Sequence, residues 1–259
     1  MATAVRFMWS NRADAATVTA TDSATSFPAS NVKTKFRQQQ WRSLNATGDK
    51  YLTLDLGATY DITTAILSDH NLSVGAAVVY QGSANGTDWT TITTPAITRT
   101  DNGSTIVIDP IIIYHTSYSY RYVRWKLTDA GNADAYVAVG RVFAGLYSQM
   151  AKNYMYPWEI APVSLSVPHR ALNGVVIVNQ KPTYRNISIS FKAITAAQKD
   201  AIRQIADYCG THLAMFVDLD PDNTAKDLYS VYGRLVTLPK YANTRWVLWE
   251  CAVQIEESV

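Results

Sequence analysis

Cysteine is nearly absent: the 259 residues include only Cys209 and Cys251. A disulfide framework is thereby excluded, and two free thiols are expected rather than a bridge. No apolar run approaches the roughly 20 residues that span a bilayer. The opening Met1-Ala2-Thr3-Ala4-Val5-Arg6-Phe7-Met8-Trp9 lacks the basic region and long apolar core of a secretory signal, so synthesis without export is expected. An excess of charge is missing too. A formal net charge of +2 gives no concentrated basic face and argues against a nucleic-acid partner. The four histidines, His70, His115, His169 and His212, are scattered without metal-ligand spacing, so neither a metal site nor a cofactor is expected. Asp218, Asp220 and Asp222 alternate like the start of a calcium loop. Asn223 stands where that loop needs glycine and Tyr229 where it needs glutamate, which leaves a solvated acidic turn around Pro221. Nucleophile-elbow, phosphate-loop and dinucleotide patterns are absent, and no enzyme is expected. A pair of carboxylates for glycoside hydrolysis would meet only in three dimensions and stays open at this level.

What is present points to β structure. The chain has 16 Tyr and 7 Trp, residues that suit strands and contact surfaces. In Tyr51-Leu52-Thr53-Leu54-Asp55-Leu56-Gly57 the three leucines alternate with polar residues, which is the period of a half-buried strand. Gly57 is expected to end that strand. Val5, Phe7 and Trp9 form an opening strand. Further strands are predicted over 62–67, 76–81, 89–92, 105–108, 120–127 and 135–147, with turns at Asn85-Gly86, Asn102-Gly103, Asp109-Pro110 and Gly131-Asn132. In the 120–127 strand Arg121 falls on the apolar face with Val123, Trp125 and Leu127, and needs a partner there. Many short strands without helical period predict an antiparallel sandwich or jelly roll.

Four segments, in order, resemble the discoidin (coagulation-factor C-type) family: Phe27-Pro28-Ala29-Ser30-Asn31 with Trp41-Arg42-Ser43; the Leu52 strand; Gln81-Gly82-Ser83-Ala84-Asn85-Gly86-Thr87-Asp88-Trp89; and Arg121-Tyr122-Val123-Arg124-Trp125. The resemblance implies a galactose-binding-like jelly roll over residues 1–148. Calcium-binding members carry Asp-Gly in the first loop, where this chain has Asn31-Val32-Lys33, so no calcium is expected.

Six of the nine prolines follow residue 150, and the boundary is placed near Gln149–Pro157. In residues 149–259 one helix stands out. Thr195 and Gln198 form a capping box, Ala201, Ile202, Ile205, Ala206 and Cys209 follow helical spacing, and Gly210 supplies the stop. Strands on either side, including an apolar alternation from Val247 to Ile255, make this an α+β module. Its order of elements resembles the tail-tube and distal-tail proteins of long-tailed bacteriophages. That likeness implies a virion tail or baseplate component, with a ring-forming homo-oligomer below, a jelly roll projecting outward, and other tail proteins or host-surface glycans as partners. A carbohydrate-binding module or lectin without an assembly role is the alternative. A glycan site is expected near Trp41, with Arg37, Arg42, His70 and Asn71 around it: an aromatic plate for a pyranose face, with cations and amides for hydroxyls. The competing reading packs Trp41 beneath the sandwich. Trp158, Trp246 and Trp249 are expected in the core or at a subunit interface.

Overall fold

The computed structural model describes residues 4–101 and 106–258. The Asn102-Gly103 turn, Thr105 and the first three residues of the opening segment lie outside them. In chain order the first strands are β1 (Arg6–Met8), β2 (Thr17–Ala20), β3 (Trp41–Arg42), β4 (Asp49–Ser68), β5 (Ala77–Ser83), β6 (Thr90–Thr93), β7 (Arg99–Asp101) and β8 (Ile106–Ile108). Then come β9 (Ile111–Thr128), β10 (Ala138–Val139), β11 (Arg141–Gly145), β12 (Ser148–Gln149), β13 (Met155–Ser164), β14 (Val167–Arg170), β15 (Val176–Asn179) and β16 (Thr183–Ile194). The chain closes with helix α1 (Ala196–Cys209), β17 (Ala214–Asp218), the short α2 (Lys226–Tyr229), β18 (Ser230–Leu235), β19 (Tyr241–Arg245) and β20 (Leu248–Glu257).

Two compact units form, and neither is a continuous stretch of chain. One comprises residues 10–147 together with 222–230; the other comprises residues 1–9, 148–221 and 231–259. The division expected from sequence, 1–148 against 149–259, is therefore corrected at two places. The opening strand β1 hydrogen-bonds to β12 and β17 of the second unit, with Arg6 opposite Asp218 and Met8 opposite Phe216. Residues 222–230 join the first unit, where the Asp227 N–H donates to Asp109 Oδ1 at 2.8 Å.

The first unit is the predicted β-sandwich of jelly-roll type. Its main sheet runs β11-β4-β9-β5-β6, with β2 added on the β11 side of β4. Leu52, Leu54 and Leu56 face the core as their alternation requires, against Val123, Trp125 and Leu127 of β9. Gly57 does not end the strand. It takes φ +81° while β4 continues to Ser68, and the register with β9 slips between Asp55 and Tyr60. A glycine in the left-handed region serves a bulge as well as a turn, so its presence alone could not separate the two. Arg121 finds its partner in Asp55, opposite Tyr122 in the register, through two bonds of 2.8 Å.

The second unit is an α+β module built on the sheet β12-β1-β17-β18-β20-β16-β13, with β19 also paired to β20. Helix α1 carries the expected capping box at Thr195 and Gln198, and buries Ile202, Ile205, Ala206 and Cys209. Cys209 and Cys251 are buried free thiols. Cys251, Val253 and Ile255 form the buried stripe of β20, whereas Val247 is exposed. Asp218 is fully buried in β17, which corrects the reading of its acidic run as solvated throughout. Trp246 is 96% exposed, so the core does not hold it. No helix is long and apolar enough to cross a membrane among the described residues.

Candidate functional site

The loops before β3, after β4 and before β10 meet at one end of the sandwich, and β3 and β10 pair there with Trp41 opposite Val139 and Arg42 opposite Ala138. Alternation along this short strand sends Trp41 inward and Arg42 outward. Trp41 is 0% exposed, and its indole N–H is shared between the Asp22 carbonyl at 3.0 Å and Ser23 Oγ at 3.1 Å. A sugar-stacking plate needs an accessible ring face. Trp41 has none, so its expected role is corrected to core packing.

His70 is buried as well. Its Nδ1 accepts from the Leu72 N–H at 3.3 Å, and its Nε2 lies 3.2 Å from the Asp109 carbonyl. A carbonyl only accepts, so the assigned tautomer carries its proton on Nε2. Burial pushes the imidazole pKa down to about 4, although the Asp109 carbonyl pulls the other way. The ring is a neutral brace with both nitrogens occupied. Asn71 is a brace too. Its Nδ2 donates to Asp134 Oδ2 and the Tyr136 carbonyl, both at 2.9 Å, and its Oδ1 accepts from the Ala138 N–H at 2.7 Å.

Arg37 sits on Asp69 with Nε at 3.0 Å and Nη2 at 2.5 Å, a fork that fixes the loop leaving β4. Gly140 lets that loop come close: a Cβ there would lie 2.6 Å from the Asp69 side chain and 2.8 Å from the Arg37 carbonyl. Lys33, in the first loop, donates to the Ala16 carbonyl at 2.9 Å. Arg42 is the outward-facing counterpart of these braces. Its guanidinium lies 4.0 Å from the centroid of Phe27 and 5.0 Å from that of Tyr136, and its Nε is buried without a partner. All three side chains are half-buried.

The five residues singled out from the sequence thus gather at one end of the sandwich but separate by depth. Trp41 and His70 lie beneath, Asn71 and Arg37 tie loops together, and Arg42 faces outward. Phe27 and Tyr136 were missed as surface groups. Phe27 belongs to the Phe27–Asn31 segment that carries the discoidin resemblance. Tyr136 precedes a run of three buried residues, Val137, Ala138 and Val139, and no local period marks it as a surface group. Chemically, the surface offers two ring faces, a guanidinium between them and the exposed carboxylate of Asp134 alongside.

Elsewhere in the same unit a cleft of about 360 Å³ is lined by Thr98, Arg99, Thr100, Thr224, Ala225 and Leu228. Next to it the buried Asp109 accepts from Thr100 Oγ1 at 2.5 Å. Among the described residues, no three His, Cys, Asp or Glu side chains converge as a metal would need.

No family model matches this chain, and no curated protein does. Solved structures similar to about half of it include carbohydrate-binding modules and a lectin domain. Chitosan-binding module 1 from a chitosanase/glucanase of Paenibacillus sp. IK-5 is 24% identical, with 52% of this chain and 98% of that one covered, at a TM-score of 0.41. The family 32 carbohydrate-binding module of Clostridium perfringens NanJ, solved with galactose, is 10% identical over 55% of this chain and 99% of that one, at a TM-score of 0.41. The lectin domain of lectinolysin, complexed with Lewis B antigen, is 14% identical over 52% and 95%, at a TM-score of 0.40.

Proposed function

We propose that the jelly-roll unit recognises glycans on the surface formed by Phe27, Arg42 and Tyr136. The observation that carries this reading is the Arg42 guanidinium between two half-exposed rings at 4.0 and 5.0 Å. Pyranoses present a C–H face that an aromatic ring can cover, and hydroxyls that a fixed fork of N–H donors can bind. The underlying braces hold that surface in place without being part of it. A glycan array followed by calorimetry tests the proposal. Arg42→Ala and Tyr136→Ala should each weaken binding about tenfold or more, the usual loss of one charged hydrogen bond or one stacking contact. Unchanged affinity in both variants, with folding intact, rejects it.

A second reading concerns the other unit and is favoured by one observation. The β14–β15 hairpin leaves Val167, Val176, Ile177 and Val178 exposed, and it pairs with no further strand among the described residues. An isolated two-stranded hairpin is marginal in water, and an apolar one needs a cover. We infer that copies of this chain associate through the hairpin, as a ring-forming structural component of a virion tail or baseplate would, with glycan binding as the task of the jelly roll. Sedimentation should show a defined oligomer that Ile177→Asp converts to monomers. A monomeric wild-type protein at high concentration rejects this second reading and leaves the first untouched.

A further inference from the structure

The outer face of the main jelly-roll sheet carries a second guanidinium in an aromatic frame, away from the loop end. Three cations lie along the second half of β9: Arg121, then Arg124 and Lys126, the last two sharing one face by alternation. Two of them are matched. Arg121 pairs with Asp55 at 2.8 Å and Lys126 with Asp49 at 2.8 Å. Arg124 has no carboxylate partner among the described residues. It lies opposite Thr53 of β4 and Gln81 of β5, and its guanidinium stacks 3.9 Å from the centroid of Trp89 and 4.5 Å from that of Tyr51.

The orientation of this guanidinium is fixed. Arg124 Nε donates to Gln81 Oε1 at 2.8 Å, and Gln81 Nε2 donates in turn to Thr91 Oγ1 at 3.1 Å. That chain of bonds settles which way the Gln81 amide points and holds the guanidinium between the rings. The terminal nitrogens Nη1 and Nη2 have no protein partner among the described residues, and neither is enclosed. Desolvation by burial pushes the Arg124 pKa down from its ordinary value, with Tyr51 pulling the other way, yet a guanidinium stays charged at any physiological pH. A preoriented fork, stripped of part of its water and lacking a counter-ion, is suited to a planar or tetrahedral oxyanion bound by two parallel N–H bonds. The local charges also leave an opening. Asp49 and Asp55 neutralise their own partners, so one positive charge remains, centred on Arg124.

We propose that Arg124, framed by Trp89 and Tyr51 and held by Gln81, is an oxyanion subsite for acidic saccharides. The shared ligand chemistry is a carboxylate or sulfate ester on a sugar, with the flanking rings covering part of the sugar beside it. The nature of the ligand rests on the reading of this unit as glycan-binding, but the subsite uses none of the loop-end residues.

The test is a nitrogen-15 NMR titration of the full chain with sialyllactose, sulfated lactose, neutral lactose and sodium acetate. The Arg124 Nε–H and the Trp89 indole N–H should shift with one or both acidic sugars, and much less with lactose or acetate. The two acidic arms distinguish a carboxylate ligand from a sulfate ligand. Arg124→Lys, which keeps the charge and loses the fork, should weaken acidic-sugar binding about tenfold, and raising the salt should weaken it further. Thermal melting of this variant shows whether the fold is kept, and the wild-type titration stands whether or not it folds. No shift with either acidic sugar overturns the proposal, as does an equal shift with lactose, or with acetate at matched concentration. Binding that survives Arg42→Ala with Tyr136→Ala but is lost in Arg124→Lys separates this subsite from the loop-end surface. A protein that binds acidic sugars here and no glycan at the loop end would refute the earlier reading and keep this one.

Discussion

At the scale of single residues, burial decides what a side chain can do. His70 is held neutral inside the sandwich, with its pKa pushed down to about 4 against an ordinary 6.5. The unfolded chain binds this proton below 6.5 and the folded chain only below about 4. Stability is therefore fully present above 6.5 and lost as the pH falls from there through 4, by on the order of 3 kcal/mol. Denaturant unfolding across pH 4–7 should show that slope, and His70→Gln should flatten it. Trp41 is the larger packing term. Trp41→Ala should cost about 3–5 kcal/mol by emptying the core and abandoning two acceptors, and any loss of glycan binding should track the loss of fold. Sequence marked Trp41 as important but not which way it pointed, because β3 is two residues long and carries no readable period. Burial also pushes the thiols of Cys209 and Cys251 up to about 11. A thiol reagent at pH 8 should leave both unmodified until denaturant is added.

At the scale of elements, legibility followed the range of the interactions. The α1 cap was readable because it closes within four residues: Thr195 Oγ1 accepts the Gln198 N–H, and Gln198 Oε1 accepts the Thr195 N–H. Thr195→Ala should cost about 1 kcal/mol in chemical denaturation. The leucine face of β4 was readable for the same reason, since alternation is a local signal. Its length was not. Whether the chain turns or bulges at Gly57 depends on the neighbouring strand, and β9 continues alongside to keep β4 extended. Gly57→Ala should cost roughly 1–2 kcal/mol, the strain of holding a Cβ at positive φ, even though nothing lies within 4 Å of that Cβ. The exposure of Tyr136 was likewise invisible, because it precedes β10 on a loop whose direction is set by contacts with distant residues.

At the scale of the whole molecule, the sandwich was legible in the sequence and the partition of the chain was not. Periodicity says that Phe7 lies in a strand; it does not say that Val217, far along the chain, lies opposite. The two-unit layout has a direct consequence for truncation. A fragment of residues 148–259 lacks β1, which sits between β12 and β17 in the sheet. It should be far less stable than the same fragment with residues 1–9 rejoined through a flexible linker, as circular dichroism during thermal unfolding would show. Order of synthesis adds a consequence of its own. Phe7 and Met8 leave the ribosome well before their partner strand, which ends at Asp218. Translation at about 5–20 residues per second keeps those two apolar side chains waiting for many seconds. During that interval the nascent chain presents a sticky segment with no native partner. A chaperone that shields it, or faster translation of the intervening message, should raise the yield of correctly paired protein.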